Sequence, residues 1–115
     1  MGDANRAETF TYVARELGKR GIAFICAREK AADDSLSPSL KEAFGGVFIA
    51  NERFTKDQAN EWLQSGKADA VAFGIPFIAN PDLPARLQQD AELNTPHPET
   101  FYGKGPLGYL DYPTL

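Results

Sequence analysis

Two short stretches of this 115-residue chain carry residue types that could hold an anion: Asn51-Glu52-Arg53 and Gly74-Ile75-Pro76. Backbone N–H groups can grip a phosphate, and a guanidinium can reach one with two parallel hydrogen bonds. A glycine lets the backbone come close to such a ligand. The bland alternative is that Gly74 only makes a tight turn and Asn51 only satisfies backbone groups.

Other chemistry-bearing residues point to less. His97, the single histidine, lies between Pro96 and Pro98 with no Cys or His near it in sequence. That context predicts a surface residue and no metal site. Cys26, the single cysteine, sits in an apolar run and is expected to be a buried, inert thiol. Glu29, Asp33 and Asp34 are loop carboxylates with no cue beyond adjacency. Trp62 is expected in the core, and Tyr102, Tyr109 and Tyr112 are expected to pack.

The elements that must position these loops follow from periodicity. Asn5 suits an N-cap with Glu8 three residues on, and Phe10, Val13, Ala14 and Leu17 make one apolar helical face ended by Gly21. Residues 22–27 then form an apolar run on both faces, as a buried parallel strand does. Ser37-Pro38 opens a second helix, with Ser37 as cap, whose apolar side is Leu40, Ala43 and Phe44. Residues 47–50 read as a second strand. Thr55 caps a third helix with Gln58 three residues later, and Ala59, Trp62 and Leu63 are expected to face inward. Residues 70–73 read as a third strand, followed by a short helical turn within 76–79 and a helix from Asp82 to about Gln89. Residues 92–115 form an irregular Pro/Gly/Tyr-rich tail.

This is βαβ order in a single segment, 1–115. It predicts an α/β fold with parallel strands, right-handed crossovers and the helices on one side. Three strands leave two open edges, so part of a larger sheet or barrel is missing. In α/β barrels the loops after the last two strands, with a short extra helix, form a phosphate site. Asn51–Arg53 and Gly74–Pro76 occupy such positions.

Composition narrows the class. Hydrophobic residues at 43% and charged residues at 24% fit a globular protein and argue against disorder. The net charge of −4, without a basic run, gives no footprint for nucleic acid. Apolar runs are too short to span a bilayer, and the first residues lack the apolar core of a leader. With one cysteine, the expectation is a cytoplasmic protein with no nucleic-acid or membrane partner.

Several stretches together resemble one family. Ala68–Gly74 runs into Pro76-Phe77-Ile78-Ala79-Asn80-Pro81-Asp82-Leu83-Pro84, followed by Phe101-Tyr102-Gly103 and Gly108-Tyr109-Leu110-Asp111-Tyr112-Pro113. Their order and spacing resemble the C-terminal end of the old yellow enzyme family of NADH:flavin oxidoreductases. Arg28-Glu29-Lys30 and Asn51-Glu52-Arg53-Phe54 look most like its xenobiotic reductase and glycerol trinitrate reductase branch.

The resemblance implies an eight-stranded (β/α)8 TIM barrel carrying FMN, of which this chain supplies the last three β/α units. It implies that Asn51, Glu52, Arg53, Gly74 and Ile75 form the FMN phosphate site and that Tyr102 lies near the substrate pocket. Many relatives have Arg after the glycine, where this chain has Ile75. The family's substrate-binding pair and proton-donating tyrosine depend on earlier strands, so no catalytic residue is expected here and the chain alone is expected to be inactive. The complete enzyme would use NAD(P)H to reduce an electrophilic alkene, a nitro compound or a nitrate ester. The alternative is a non-catalytic α/β remnant that binds phosphate weakly or only self-associates through its open strand edges.

Overall fold

A computed structural model describes residues 5–115. The stretch Met1-Gly2-Asp3-Ala4, part of the region read as lacking a leader, lies outside them. The chain divides into two compact units, one ending at Ala72 and one spanning Phe73–Leu115.

The first unit runs α1 (Arg6–Lys19), β1 (Phe24–Arg28), α2 (Ser37–Phe44), β2 (Val47–Asn51), α3 (Lys56–Gln64) and β3 (Ala70–Ala72). The strands form a parallel sheet in the order β1-β2-β3, with Phe24 beside Val47, Arg28 beside Asn51, and Asn51 beside Ala72. The expected α/β architecture with three parallel strands is what the chain forms.

Helix ends show which sequence cues acted. Thr55 accepts from the Gln58 N–H and the Gln58 side chain accepts from the Thr55 N–H, a reciprocal box that starts α3. Gly21 follows α1 with φ 66°, a left-handed turn suited to glycine. Two expected caps act differently. Asn5 occupies the N-cap position of α1, but its side chain makes no capping bond. Ser37 is the first residue of α2, not its cap, because its hydroxyl and its N–H are both drawn to the Glu29 carboxylate.

Packing explains the helix order. α1 lies on α2, α2 on β2 and α3 on β3. At the first crossing, a Cβ on Gly18 would stand 2.3 Å from the Phe44 carbonyl oxygen, so only glycine lets the backbones approach. Phe48, Ala50, Phe54 and Trp62 are buried, and the Phe54 and Trp62 rings meet edge to face at 5.0 Å. The Asp69 carboxylate accepts from the Phe48 N–H at 2.8 Å while its own N–H donates to the Phe48 carbonyl, pinning the entry to β3.

Among the described residues of this unit the sheet is covered on one face only, which corrects the expectation of strands buried on both. Phe48 and Ala50 lie on the covered face. Phe24 is 51% and Val47 48% exposed, and Cys26 is exposed rather than buried. Successive side chains of a strand point to opposite faces, and the apolar residues of the second face have no cover in this unit. Leu63, expected to face inward, is also exposed, as are Phe10 and Val13 on α1.

The second unit holds α4 (Ile75–Ala79), α5 (Leu83–Gln89) and one 3-10 turn at Pro98–Thr100. Its last 24 residues are held by side-chain bonds. Asn80, fully buried, donates to the Pro76 carbonyl and accepts from the Asn94 N–H. Arg86 donates to Asp82 and to the carbonyls of Glu92 and Pro113. Tyr112 is buried, stacks on His97 and accepts from the His97 N–H. Tyr102 and Tyr109, expected to pack, are 98% and 79% exposed.

Among the described residues, no helix is long and apolar enough to cross a membrane and no group of three or more His, Cys, Asp or Glu is placed to hold a metal ion.

Candidate functional site

The C-terminal end of β2 turns sharply. Glu52 has φ 116° and Arg53 φ 55°, so two successive residues with side chains hold a conformation that L-residues rarely adopt. Each costs on the order of 1–3 kcal/mol and persists only where the surroundings enforce it. Their N–H groups donate to no backbone carbonyl among the described residues. Successive backbone N–H groups in a turn can form a concavity that suits an anion.

Neighbouring residues hold this turn in place. The Glu29 N–H donates to the Asn51 carbonyl at 2.8 Å, extending the ladder one residue past β1. Arg28 Nε donates to Glu52 Oε2, and Arg53 Nε stands 3.6 Å from Glu52 Oε1. The hydrogen bond from Arg28 holds the Glu52 carboxyl below its ordinary value, with Arg53 and Lys30 adding to the effect. The Arg28 and Arg53 side chains are both largely exposed, while that of Glu52 is mostly covered. A groove of about 370 Å³ lies alongside, lined by Arg6, Arg28, Lys30, Asp34 and Glu52 among others.

Glu29 organises the adjacent loop. Its carboxylate accepts from the Ser35 hydroxyl, from the N–H groups of Leu36 and Ser37 at 3.2 and 3.1 Å, and from the Ser37 hydroxyl at 3.0 Å. It thereby caps α2 from outside the helix. Burial pushes its pKa up, but these bonds outweigh burial and hold it below the ordinary value.

Asn51, Glu52 and Arg53 belong to the first unit. Gly74, Ile75 and Tyr102 belong to the second. Gly74 has φ −94°, and a Cβ built on it would meet nothing within 4 Å. Neither backbone strain nor crowding within the chain therefore demands a glycine there. Its carbonyl accepts from Phe77 and Ile78 to start α4, and Ile75 is 53% exposed.

Arg28 was not singled out from sequence as a site residue. Its partner is 24 positions away, and only the register that sets Arg28 beside Asn51 brings the two together. An arginine closing one strand and a glutamate just past the next was the available signal.

Comparisons with known proteins agree with this architecture. Residues 7–94 match the sequence profile of the NADH:flavin oxidoreductase / NADH oxidase family. The chain is 42% identical to 12-oxophytodienoate reductase 2 of Arabidopsis thaliana, over 99% of this chain and 33% of that protein. It is 40% identical to the protein named probable flavin mononucleotide-dependent alkene reductase in Leishmania infantum, over 90% of this chain and 29% of that one. The solved old yellow enzyme homologue of Zymomonas mobilis superimposes with a TM-score of 0.92 at 39% identity, over 98% of this chain and 34% of its own. The chain thus spans about a third of the length of the relatives it matches.

Proposed function

The chain belongs to the NADH:flavin oxidoreductase / NADH oxidase family, and from that membership we propose that it is the C-terminal third of an FMN-dependent NAD(P)H oxidoreductase and supplies its FMN phosphate site. The backbone N–H groups of Glu52 and Arg53, and the backbone at Gly74 and Ile75, are the groups assigned to the phosphate. Asn51 sets the start of the turn. Arg53 supplies the positive charge that Ile75 does not.

One observation carries the proposal: the successive positive φ angles of Glu52 and Arg53. Gly or Asn would hold such a turn at smaller conformational cost. The open space at Gly74, where a Cβ would meet nothing of this chain, fits close approach by a group from outside it. Both features suit a phosphate dianion.

FMN supplies hydride transfer between a nicotinamide cofactor and an electrophilic alkene, nitro compound or nitrate ester. This chain's residues bind and orient the phosphate end, and Tyr102 borders the substrate pocket. The groups that hold the flavin ring, the substrate and the donated proton belong to earlier strands, so residues 1–115 alone are inactive. A cytoplasmic location fits the single cysteine.

The test compares FMN with riboflavin, which lacks the phosphate. A complete barrel carrying residues 1–115 as its C-terminal third should prefer FMN by at least about tenfold, roughly 1.4 kcal/mol. Equal affinity would remove the phosphate site from this segment. Residues 1–115 alone should bind FMN more weakly than about 1 µM, since they offer the flavin ring no enclosure.

A second reading, self-association of the isolated segment, has its own observation. The uncovered sheet face exposes Phe24 and Val47, which are neighbours in register, and β1 and β3 each leave an edge unpaired in the sheet. Such surfaces drive association. Sedimentation velocity of residues 1–115 would decide this, and a sharp monomer peak at tens of micromolar would count against it.

A further inference from the structure

The turn at Asn51–Arg53 contains a charge conflict. The phosphate assigned to it is a dianion, yet the middle residue of the turn is a glutamate. A carboxylate a few ångströms from a phosphate repels it unless something neutralises the carboxylate. The structure contains a candidate for that task on the neighbouring strand. Arg28 ends β1 beside Asn51 and pairs with Glu52 through Nε.

The two guanidiniums near Glu52 are not equivalent. Arg28 donates a hydrogen bond to Oε2, while Arg53 stands 3.6 Å from Oε1, outside hydrogen-bond range for that pair. Arg28 also approaches from a backbone fixed by the ladder, with the Glu29 N–H bonded to the Asn51 carbonyl. Arg53 lies in the turn itself with its side chain 77% exposed. One arginine is committed to the carboxylate and the other is loosely held.

Resting on the phosphate site proposed above, we propose that Arg28 is a positioning residue for it. Arg28 neutralises Glu52, draws its carboxylate toward β1, and thereby leaves the Arg53 guanidinium available to the phosphate. Arg28 does not itself touch the ligand. Its effect passes through Glu52, so removing the Glu52 charge makes Arg28 dispensable.

The experiment uses the complete barrel carrying residues 1–115 as its C-terminal third. Dissociation constants for FMN and for riboflavin are measured by flavin fluorescence at low ionic strength. Their ratio isolates the phosphate contribution, and a general loss of structure affects both ligands alike. Arg28→Ala should cut the preference for FMN about tenfold, roughly 1.4 kcal/mol. Arg28→Lys should retain most of it. Glu52→Gln in the Arg28→Ala background should restore it, and Glu52→Gln alone should raise it.

Other outcomes overturn the proposal. A loss in Arg28→Ala that Glu52→Gln does not repair would mean that Arg28 contacts the phosphate directly. If Arg28→Ala leaves the preference unchanged while Arg53→Ala lowers it, the phosphate site stands and the role of Arg28 falls. If neither variant changes a ratio that favours FMN, backbone amides hold the phosphate without a guanidinium and the role of Arg28 falls, whereas equal affinity for FMN and riboflavin in the unsubstituted barrel removes the phosphate site itself. Should Arg28→Ala fail to fold, Glu52→Gln alone still decides, because a fall in the FMN preference contradicts the repulsion that Arg28 is assigned to cancel.

Discussion

The guanidinium of Arg86 donates to the carbonyl oxygen of Pro113 at 2.8 Å, joining residues 27 positions apart. The same group donates to the Glu92 carbonyl at 2.6 Å and to Asp82 Oδ1 at 2.8 Å. Asp82 Oδ2 in turn accepts from the Leu115 N–H. Arg86 is only 5% exposed, so its removal strips its donor from the Glu92 carbonyl and leaves Asp82 with the Leu115 N–H alone and the Pro113 carbonyl with Asn94 alone. Arg86→Ala should destabilise the protein by about 3 kcal/mol. Urea unfolding checks this. Limited proteolysis should show residues 92–115 cut first, and an unchanged cleavage pattern would mean that other contacts hold the tail.

Gly18 faces the Phe44 carbonyl oxygen where α1 crosses α2. A Cβ there would lie 2.3 Å from that oxygen, and backbone cannot rotate away as a side chain can. Gly18→Ala should therefore destabilise by about 1–3 kcal/mol, although alanine is the better helix former. A stabilised variant in urea would show that α1 can shift without cost.

How far sequence alone reached is visible in particular residues. Thr55 with Gln58, Gly21 after α1 and the apolar run at 47–50 are local signals that local physics realises, while the strand expected over 70–73 ends at Ala72 and the one expected over 22–27 runs Phe24–Arg28. Phe24 and Cys26 misled because an apolar run records that both faces are suited to burial, not which residues cover them. Among the described residues of the first unit, only the Phe48 face is covered. The signature residues Asn80, Asp82 and Tyr112 were legible as family markers. Their work as fasteners of the C-terminal tail depends on Asn94, Arg86, Leu115 and His97, which are distant partners that no spacing announces. The Arg28–Glu52 pair was hidden for the same reason, since it exists only through strand register.

The Glu29 carboxylate links pH to stability. Its folded-state pKa lies below the ordinary 4.5, because bonds from Ser35, Leu36 and Ser37 outweigh the opposing effect of burial. A depressed carboxyl contributes stability that is fully present above the unfolded pKa and is lost as pH falls through the folded one. Thermal unfolding should thus be level in this contribution from neutral pH to about 5 and decline below 4.5. Glu29→Gln should lower the melting temperature at pH 7 and flatten the acid decline. An equally steep decline in the variant would assign the effect to other carboxylates, of which Asp82 is the next candidate.

Arg53 offers the last test, because its side chain has two possible partners. In the chain itself its guanidinium stands 3.6 Å from Glu52, and that exposed contact contributes little. A phosphate in the turn would offer a stronger partner, since Arg28 already satisfies Glu52. Arg53→Ala in the complete barrel should weaken FMN binding by about 1.5–3 kcal/mol and leave riboflavin binding nearly unchanged. The loss should be larger at low salt than at 0.15 M, where exposed charges are screened beyond roughly 8 Å. If Arg53→Ala leaves the FMN dissociation constant untouched at both salt concentrations, the phosphate is held by backbone amides alone, and the positive φ angles of Glu52 and Arg53 are sufficient without a guanidinium.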